Sequence, residues 1–230
     1  MKIGGFQKTS LLDYPDRISA IVWTSGCNFR CPFCYNKKLA LGTAELFPQD
    51  EILSFLSKRK ELLDGVVISG GEPFLQDDFV DFIKRVKNLR LLVKVDTNGA
   101  FPERLEELLE QQLVDYVAMD VKAPKKKYHK LSGIDVDFSK IEASINLIKS
   151  KARAYEFKTT FVPGFLTKED IVEIAEWLKG ADVYYLQQFK PMKPLVSSQL
   201  ESALPYPREY VYETLEAIQP FFKRCVVRGI

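Results

Sequence analysis

The sequence predicts an α/β fold, a partial, open (β/α)6 barrel, and three observations lead there. Short β-branched runs alternate with longer segments whose apolar residues recur at helical spacing. Strands that alternate with helices pair in parallel through right-handed crossovers. The glycines, carboxylates and amides of the chain gather directly after the strand-like runs, where parallel α/β folds bind ligands. Six such units are too few to close an eight-unit barrel, so an open barrel is expected, with a doubly wound open sheet as the alternative.

The elements follow in order. Residues 18–23, Ile-Ser-Ala-Ile-Val-Trp, read as the first strand. Residues 48–63 read as a helix, with Pro48 suited to its first turn. Strand patterns return at residues 65–69, 91–95, 116–119, 157–162 and 183–189. Helical patterns lie between them at residues 76–86, 102–111, 138–149 and 168–179, and a last one at 207–221. Residues 224–228 carry the pattern of one more strand. Residues 1–16 form an extension ahead of the first strand. Residues 190–207, rich in Pro and Ser, read as a long loop near the barrel mouth. No linker separates a second unit, so residues 1–230 read as one domain.

Composition narrows the function classes. Hydrophobic residues make up 46% and charged residues 28%, the balance of a soluble globular protein. A net charge of +2 points to neither nucleic acid nor a membrane surface. The one basic run, Lys125 to Lys127, reads as a solvated loop. No apolar stretch is long enough to span a bilayer and no signal peptide opens the chain, so a cytoplasmic location is expected. In that reducing setting, the crowding of three of the four cysteines at Cys27, Cys31 and Cys34 suggests a metal site rather than disulfides.

Three close thiolates are one short of a structural zinc set or a fully ligated four-iron cluster. Either Cys225 or His129 completes a zinc site, or one iron of a cluster is left open for chemistry. Cys225 sits in an apolar run and reads as a buried free thiol; His129, the only histidine, reads as solvated. Beyond the later strands come Ser69-Gly70-Gly71-Glu72-Pro73, Asp96-Thr97-Asn98-Gly99, Asp120-Val121-Lys122, Pro163-Gly164 and Gln187-Gln188. Two glycines allow close backbone approach to a ligand, and a carboxylate suits an ammonium group. Asp96 and Asp120 are expected close together on neighbouring strand ends, where Lys122 or a bound monovalent cation could stand between them. Of Asp120 and Lys122, only one is expected to turn inward within the strand proper, a rule that loosens at a strand end.

The Cys-x3-Cys-x-aromatic-Cys loop, with Phe33 as the aromatic, resembles the signature of the radical S-adenosylmethionine enzymes. The resemblance implies the partial barrel of that family and a [4Fe-4S] cluster on Cys27, Cys31 and Cys34. It implies S-adenosylmethionine bound by Gly70, Gly71 and Glu72 at its amino group, with Phe33, Asp96, Asn98, Asp120, Lys122, Lys158 and Gln188 as further cofactor contacts. Where such enzymes often carry a histidine after the sixth strand, this chain has Lys190. The chemistry implied is one-electron cleavage of S-adenosylmethionine to methionine and a 5'-deoxyadenosyl radical, with the protein supplying orientation and exclusion.

Gly5-Phe6, Leu11-Leu12-Asp13-Tyr14-Pro15, Lys122-Ala-Pro124, Tyr128 and Ser132-Gly133 resemble glycyl radical enzyme activases, and among them the activators of anaerobic ribonucleotide reductase. This implies a glycyl radical enzyme as protein substrate and a flavodoxin- or ferredoxin-like electron donor, met by Arg30, Lys37 and Lys38. Residues 5–15 and 122–133, with Phe6, Tyr14 and Tyr128, are the expected docking surfaces. The competing readings are a small-molecule radical enzyme similar to 7-carboxy-7-deazaguanine synthase, using Gln187 and Gln188, and a non-enzymatic zinc-binding protein.

Overall fold

A computed structural model describes residues 1–230 and contains one eight-stranded sheet whose strands follow sequence order. The strands are β1 (Ile3–Ser10), β2 (Ser19–Thr24), β3 (Gly65–Gly70), β4 (Leu92–Thr97), β5 (Tyr116–Asp120), β6 (Tyr155–Phe161), β7 (Val183–Gln188) and β8 (Arg224–Arg228). The six strands read from sequence are β2 to β7, all parallel, as the crossover rule requires. The stretch at 224–228 is a strand as well, parallel to β7. Since β1 and β8 do not pair with each other, the sheet is open between them.

The expected N-terminal extension is the one element that takes a different form. Residues 3–10 run antiparallel to β2 with register irregularities. Ile-Gly-Gly-Phe-Gln-Lys-Thr-Ser has too little β-branched character and too many glycines to announce a strand. Tertiary packing makes it one: Ile3 is fully buried and the Phe6 ring meets Phe55 edge-on at 5.3 Å.

Eight helices join the strands: α1 (Lys37–Ala40), α2 (Gln49–Arg59), α3 (Phe79–Asn88), α4 (Pro102–Glu110), α5 (Tyr128–Ser132), α6 (Phe138–Lys151), α7 (Lys168–Trp177) and α8 (Arg208–Ile218). Their boundaries follow local chemistry. Pro102 opens α4, where its missing N–H costs nothing. Thr167 and Asp170 cap each other's backbone in a capping box at the start of α7.

Strand periodicity sorts the sheet into two faces. Val22, Val66, Ile68, Val93, Val95, Val117, Met119, Phe157, Phe161, Tyr184 and Leu186 belong to the large apolar core that also takes in the buried residues of the helices. The opposite face lines the barrel. Its lower part is plugged by Tyr14, Ile21 and Val67, with Trp23, Leu92 and Tyr116 against them. Its upper part carries Ser69, Asp96, Asp120, Lys158 and Gln187, in the registers set by the parallel ladders. The fold therefore brings strand-end polar residues to one rim.

Candidate functional site

The cysteine loop leaves β2 at Thr24 and is clamped by four segments of backbone. Gly26 N–H donates to Leu39 O at 2.7 Å, and Arg30 N–H donates to Ser132 O at 2.7 Å. From the long loop, Val196 N–H reaches Cys34 O at 3.1 Å and Ser197 N–H reaches Pro32 O at 2.9 Å. From the turn after β3, Glu72 N–H donates to Gly26 O at 2.9 Å. The Arg30 guanidinium closes the loop on itself through Cys27 O and Phe29 O.

This arrangement bears on two expectations. The glycines of Gly70-Gly71-Glu72 serve a close approach between two loops. A Cβ on Gly71 would stand 1.9 Å from Gly26 O. The segment 122–133 also braces the cysteine loop through Ser132, with Tyr128 2% exposed while Lys125, Lys126, His129 and Lys130 stay exposed; Tyr14, on the other proposed surface, is 5% exposed. The exposed apolar residues of the N-terminal turn are Leu11 and Leu12.

The three thiols share a poorly solvated environment. Burial, followed by the nearby Glu72 carboxylate, pushes Cys27 up to about 11, and burial pushes Cys31 up to about 12, with Cys27 and Cys34 adding to the effect. Burial raises Cys34 as well. Phe29 N–H donates to Cys27 Sγ at 3.3 Å, and Lys122 lies 5.7 Å from the centre of the Phe33 ring. Cys225 pairs with Tyr184 in register, on the helix-facing side of the sheet, away from this loop. His129 is exposed on α5.

Glu72 has no exposed surface. Its Oε1 accepts from Phe74 N–H at 3.2 Å and Thr97 Oγ1 at 2.9 Å; its Oε2 accepts from Asn98 N–H at 2.8 Å. Burial raises its carboxyl to about 7 against these donors. Its observed work is to tie the turn after β3 to the end of β4. Asn98 reaches the other way, from its side-chain amide to Asn28 Oδ1 at 2.8 Å and towards Cys27 Sγ at 3.9 Å.

At the rim, Asp96 and Asp120 do come together, with Lys158 between them. Its Nζ is 3.4 Å from Asp96 Oδ2 and 3.7 Å from Asp120 Oδ2. Lys122 pairs with Asp120 Oδ1 at 3.3 Å. Asp120 and Lys122 thus both face the rim, because residues two apart in extended backbone share a side; the expectation of only one turning inward was a miscounted period. Gln188 does not join the group. Its register partner is Phe161 of the apolar face, and its amide donates to Tyr206 O at 2.7 Å, whereas Gln187 faces the barrel. Lys190 is exposed, Lys38 is exposed beside the loop, and Arg30 is committed to loop carbonyls.

Below the rim lies a polar chain that sequence reasoning missed. Lys94 Nζ is 3.7 Å from Asp96 Oδ1 and 3.5 Å from Glu156 Oε1. Glu156, fully buried, accepts from Arg228 at 3.1 Å and from the Tyr116 hydroxyl at 3.0 Å. The signal was available: a lysine inside Leu-Val-Lys-Val-Asp-Thr is a charge in a buried strand, which occurs only when it is paired.

Comparison with known proteins decides the family. The sequence profile described as the Radical SAM superfamily matches residues 21–178. The chain belongs to the radical SAM superfamily. A relative from Methanocaldococcus jannaschii, provisionally named a glycyl-radical enzyme activating enzyme, is 37% identical over 99% of this chain and 96% of its own length. Pyruvate formate-lyase-activating enzymes of Listeria are 32% identical over 49% of this chain and 50% of theirs. Among solved structures, Streptococcus suis SuiB bound to its precursor peptide superposes with a TM-score of 0.65 at 15% identity, covering 90% of this chain and 47% of SuiB. The chain thus spans about half of SuiB. A domain of the activating enzyme of pyruvate formate-lyase from Bacteroides vulgatus gives 0.58 at 16% identity, covering 72% of this chain and 99% of that one.

Membership makes the chain a radical SAM enzyme and overturns the reading as a non-enzymatic zinc-binding protein. The superfamily's cofactors are a [4Fe-4S] cluster and S-adenosylmethionine, and the donor set fits the cluster. Three thiols on one braced loop resist ionisation on their own, and a bound iron would supply the positive charge that holds them as thiolates. The fourth thiol is turned away, so a cluster on Cys27, Cys31 and Cys34 would have three protein ligands.

Proposed function

We propose that this radical SAM enzyme is an activase that removes a hydrogen atom from a glycine of a partner protein, the partner being anaerobic ribonucleotide reductase. The observation that carries the activase reading is the relative from M. jannaschii, matched over nearly the whole of both chains and named for that activity. The form of the barrel supports it. Side chains fill the lumen below the rim, and the sheet is open between β1 and β8, which suits a loop entering from outside better than an enclosed metabolite. The choice of ribonucleotide reductase rests on Gly5-Phe6, Leu11 to Pro15 and Lys122-Ala-Pro124.

Cys27, Cys31 and Cys34 would hold the cluster, which when bound supplies the electron that cleaves S-adenosylmethionine. The remaining work belongs to the chain. Glu72 and Asn98 lock the turns after β3 and β4 to the cysteine loop, so the cofactor meets a preset rim. Asp96, Asp120, Lys122 and Lys158 present fixed charges there. Ser197 and Val196 hold the long loop over the cysteines, which limits water at the reacting centre. An acidic flavodoxin- or ferredoxin-like donor would meet Lys38 beside the cysteine loop, and the reduced thiols suit a cytoplasmic setting.

The reduced, reconstituted protein, mixed with S-adenosylmethionine and anaerobic ribonucleotide reductase from the same source, should give a glycyl radical doublet by electron paramagnetic resonance. Absence of the doublet with every glycyl radical enzyme of that source, together with rapid deoxyadenosine formation on a small metabolite, would replace this reading with one similar to 7-carboxy-7-deazaguanine synthase.

A further inference from the structure

We infer that Lys158 is a built-in cation of the rim: its ammonium takes the place between Asp96 and Asp120 that a monovalent cation from solution could otherwise fill, so cofactor binding here needs no such ion. The inference rests on membership of the superfamily and is independent of which partner is activated.

The positions follow from the ladders. Asp96 and Asp120 end the neighbouring strands β4 and β5, and Lys158 of β6 is the register partner of Asp120. Two carboxylates on adjacent strand ends repel unless a positive charge lies between them. Lys158 Nζ stands there, within 3.7 Å of an oxygen of each. The other oxygens also have a cation nearby. Lys122 is 3.3 Å from Asp120 Oδ1, and Lys94 is 3.7 Å from Asp96 Oδ1. Ser69 Oγ donates to Asp96 Oδ2 at 3.0 Å. Each of the four carboxylate oxygens has an ammonium within 3.7 Å, although Asp96 Oδ1 is buried without a hydrogen-bond partner.

Charge balance argues the same way. The connected chain of ion pairs holds four cations, Lys94, Lys122, Lys158 and Arg228, against three carboxylates, Asp96, Asp120 and Glu156. One more cation would add to a positive excess in a poorly screened lumen, where like charges repel strongly. A tethered ammonium also avoids the entropy cost of capturing an ion from solution. Lys158 is a positioning residue in this account, because it acts through Asp96 and Asp120.

The test is S-adenosylmethionine affinity by calorimetry on the cluster-loaded protein, in potassium and in choline buffers, with thallium(I) NMR as a direct readout of cation binding. The wild type should bind S-adenosylmethionine equally in both buffers and show no thallium site. Lys158→Ala should lose about tenfold in affinity in choline, the loss of one charge-assisted contact, and recover it with potassium or ammonium while gaining a thallium site. Lys158→Arg should stay cation-independent. A wild type that loses affinity in choline, or binds thallium in a way that Asp96→Asn abolishes, overturns the inference. So does a Lys158→Ala variant that is unaffected, or weakened without rescue by potassium. If Lys158→Ala does not fold, the wild-type measurements decide alone.

Discussion

Gly71→Ala is the substitution that tests most directly how the cysteine loop is held. The backbone of Gly71 adopts no unusual dihedral, so the argument is one of space. A Cβ there would stand 1.9 Å from Gly26 O, 2.6 Å from Gly26 C and 3.3 Å from Cys27 N. Real Cβ contacts do not fall below 3.0 Å, so the two loops must part by about 1.1 Å, the difference between 3.0 and 1.9. The neighbours are backbone, which cannot rotate away as a side-chain tip would. Parting breaks Glu72 N–H to Gly26 O and Gly71 N–H to Thr24 O, both 2.9 Å. Each broken bond leaves a buried polar group unpaired at about 1–3 kcal/mol, which gives about 2–6 kcal/mol in all. That is a large part of a typical folding free energy of roughly 5–15 kcal/mol. Iron and sulfide content after anaerobic reconstitution, with urea unfolding of the iron-free protein, reads both consequences. Gly164→Ala is the control. Nothing lies within 4 Å of its Cβ, so only the left-handed backbone at φ +76° adds a cost of about 1–2 kcal/mol, with iron unchanged. A Gly71→Ala protein that takes up full iron and unfolds at the wild-type urea midpoint would refute the reasoning.

Three further outcomes follow. Alanine at Cys27, Cys31 or Cys34 should abolish iron binding, while Cys225→Ala, altered on the opposite face of the sheet, should retain it; anaerobic iron analysis separates them. Glu72 titrates near 4.5 when unfolded and at about 7 when folded, so its protonated form favours folding below pH 4.5 and that contribution, about 3 kcal/mol at roughly 1.4 kcal/mol per pH unit, is lost as pH rises to 7. Glu72→Gln, neutral throughout, should flatten that decline in urea unfolding of the iron-free protein; an unaltered pH dependence would show that Glu72 is not its source. Glu156→Ala should destabilise by about 1–3 kcal/mol, because it removes the carboxylate shared by Arg228 and Lys94 while Lys94 keeps Asp96 and Asp13 O, and a loss under about 1 kcal/mol would mean that the lumen chain is solvated.

By itself the sequence determined the parallel strands β2 to β7, because a run that alternates with helices has only one way of packing into a sheet. It also placed the cysteine loop and the glycine, aspartate and lysine motifs at strand ends, since that is a matter of order along the chain. Three things were decided only by tertiary structure. The strand β1 exists because β2 and Phe55 are there to receive Ile3 and Phe6, and its own residues do not prefer that form. The turn of Gln187 towards the barrel and Gln188 away from it depends on register, which one residue of uncertainty in a strand boundary reverses. The partners of the buried charges, Lys158 between Asp96 and Asp120 and Lys94 against Glu156, lie up to 62 residues apart in the chain. No local pattern states which opposite charge a strand lysine will meet, because the meeting is made by strand adjacency and the closed space of the lumen.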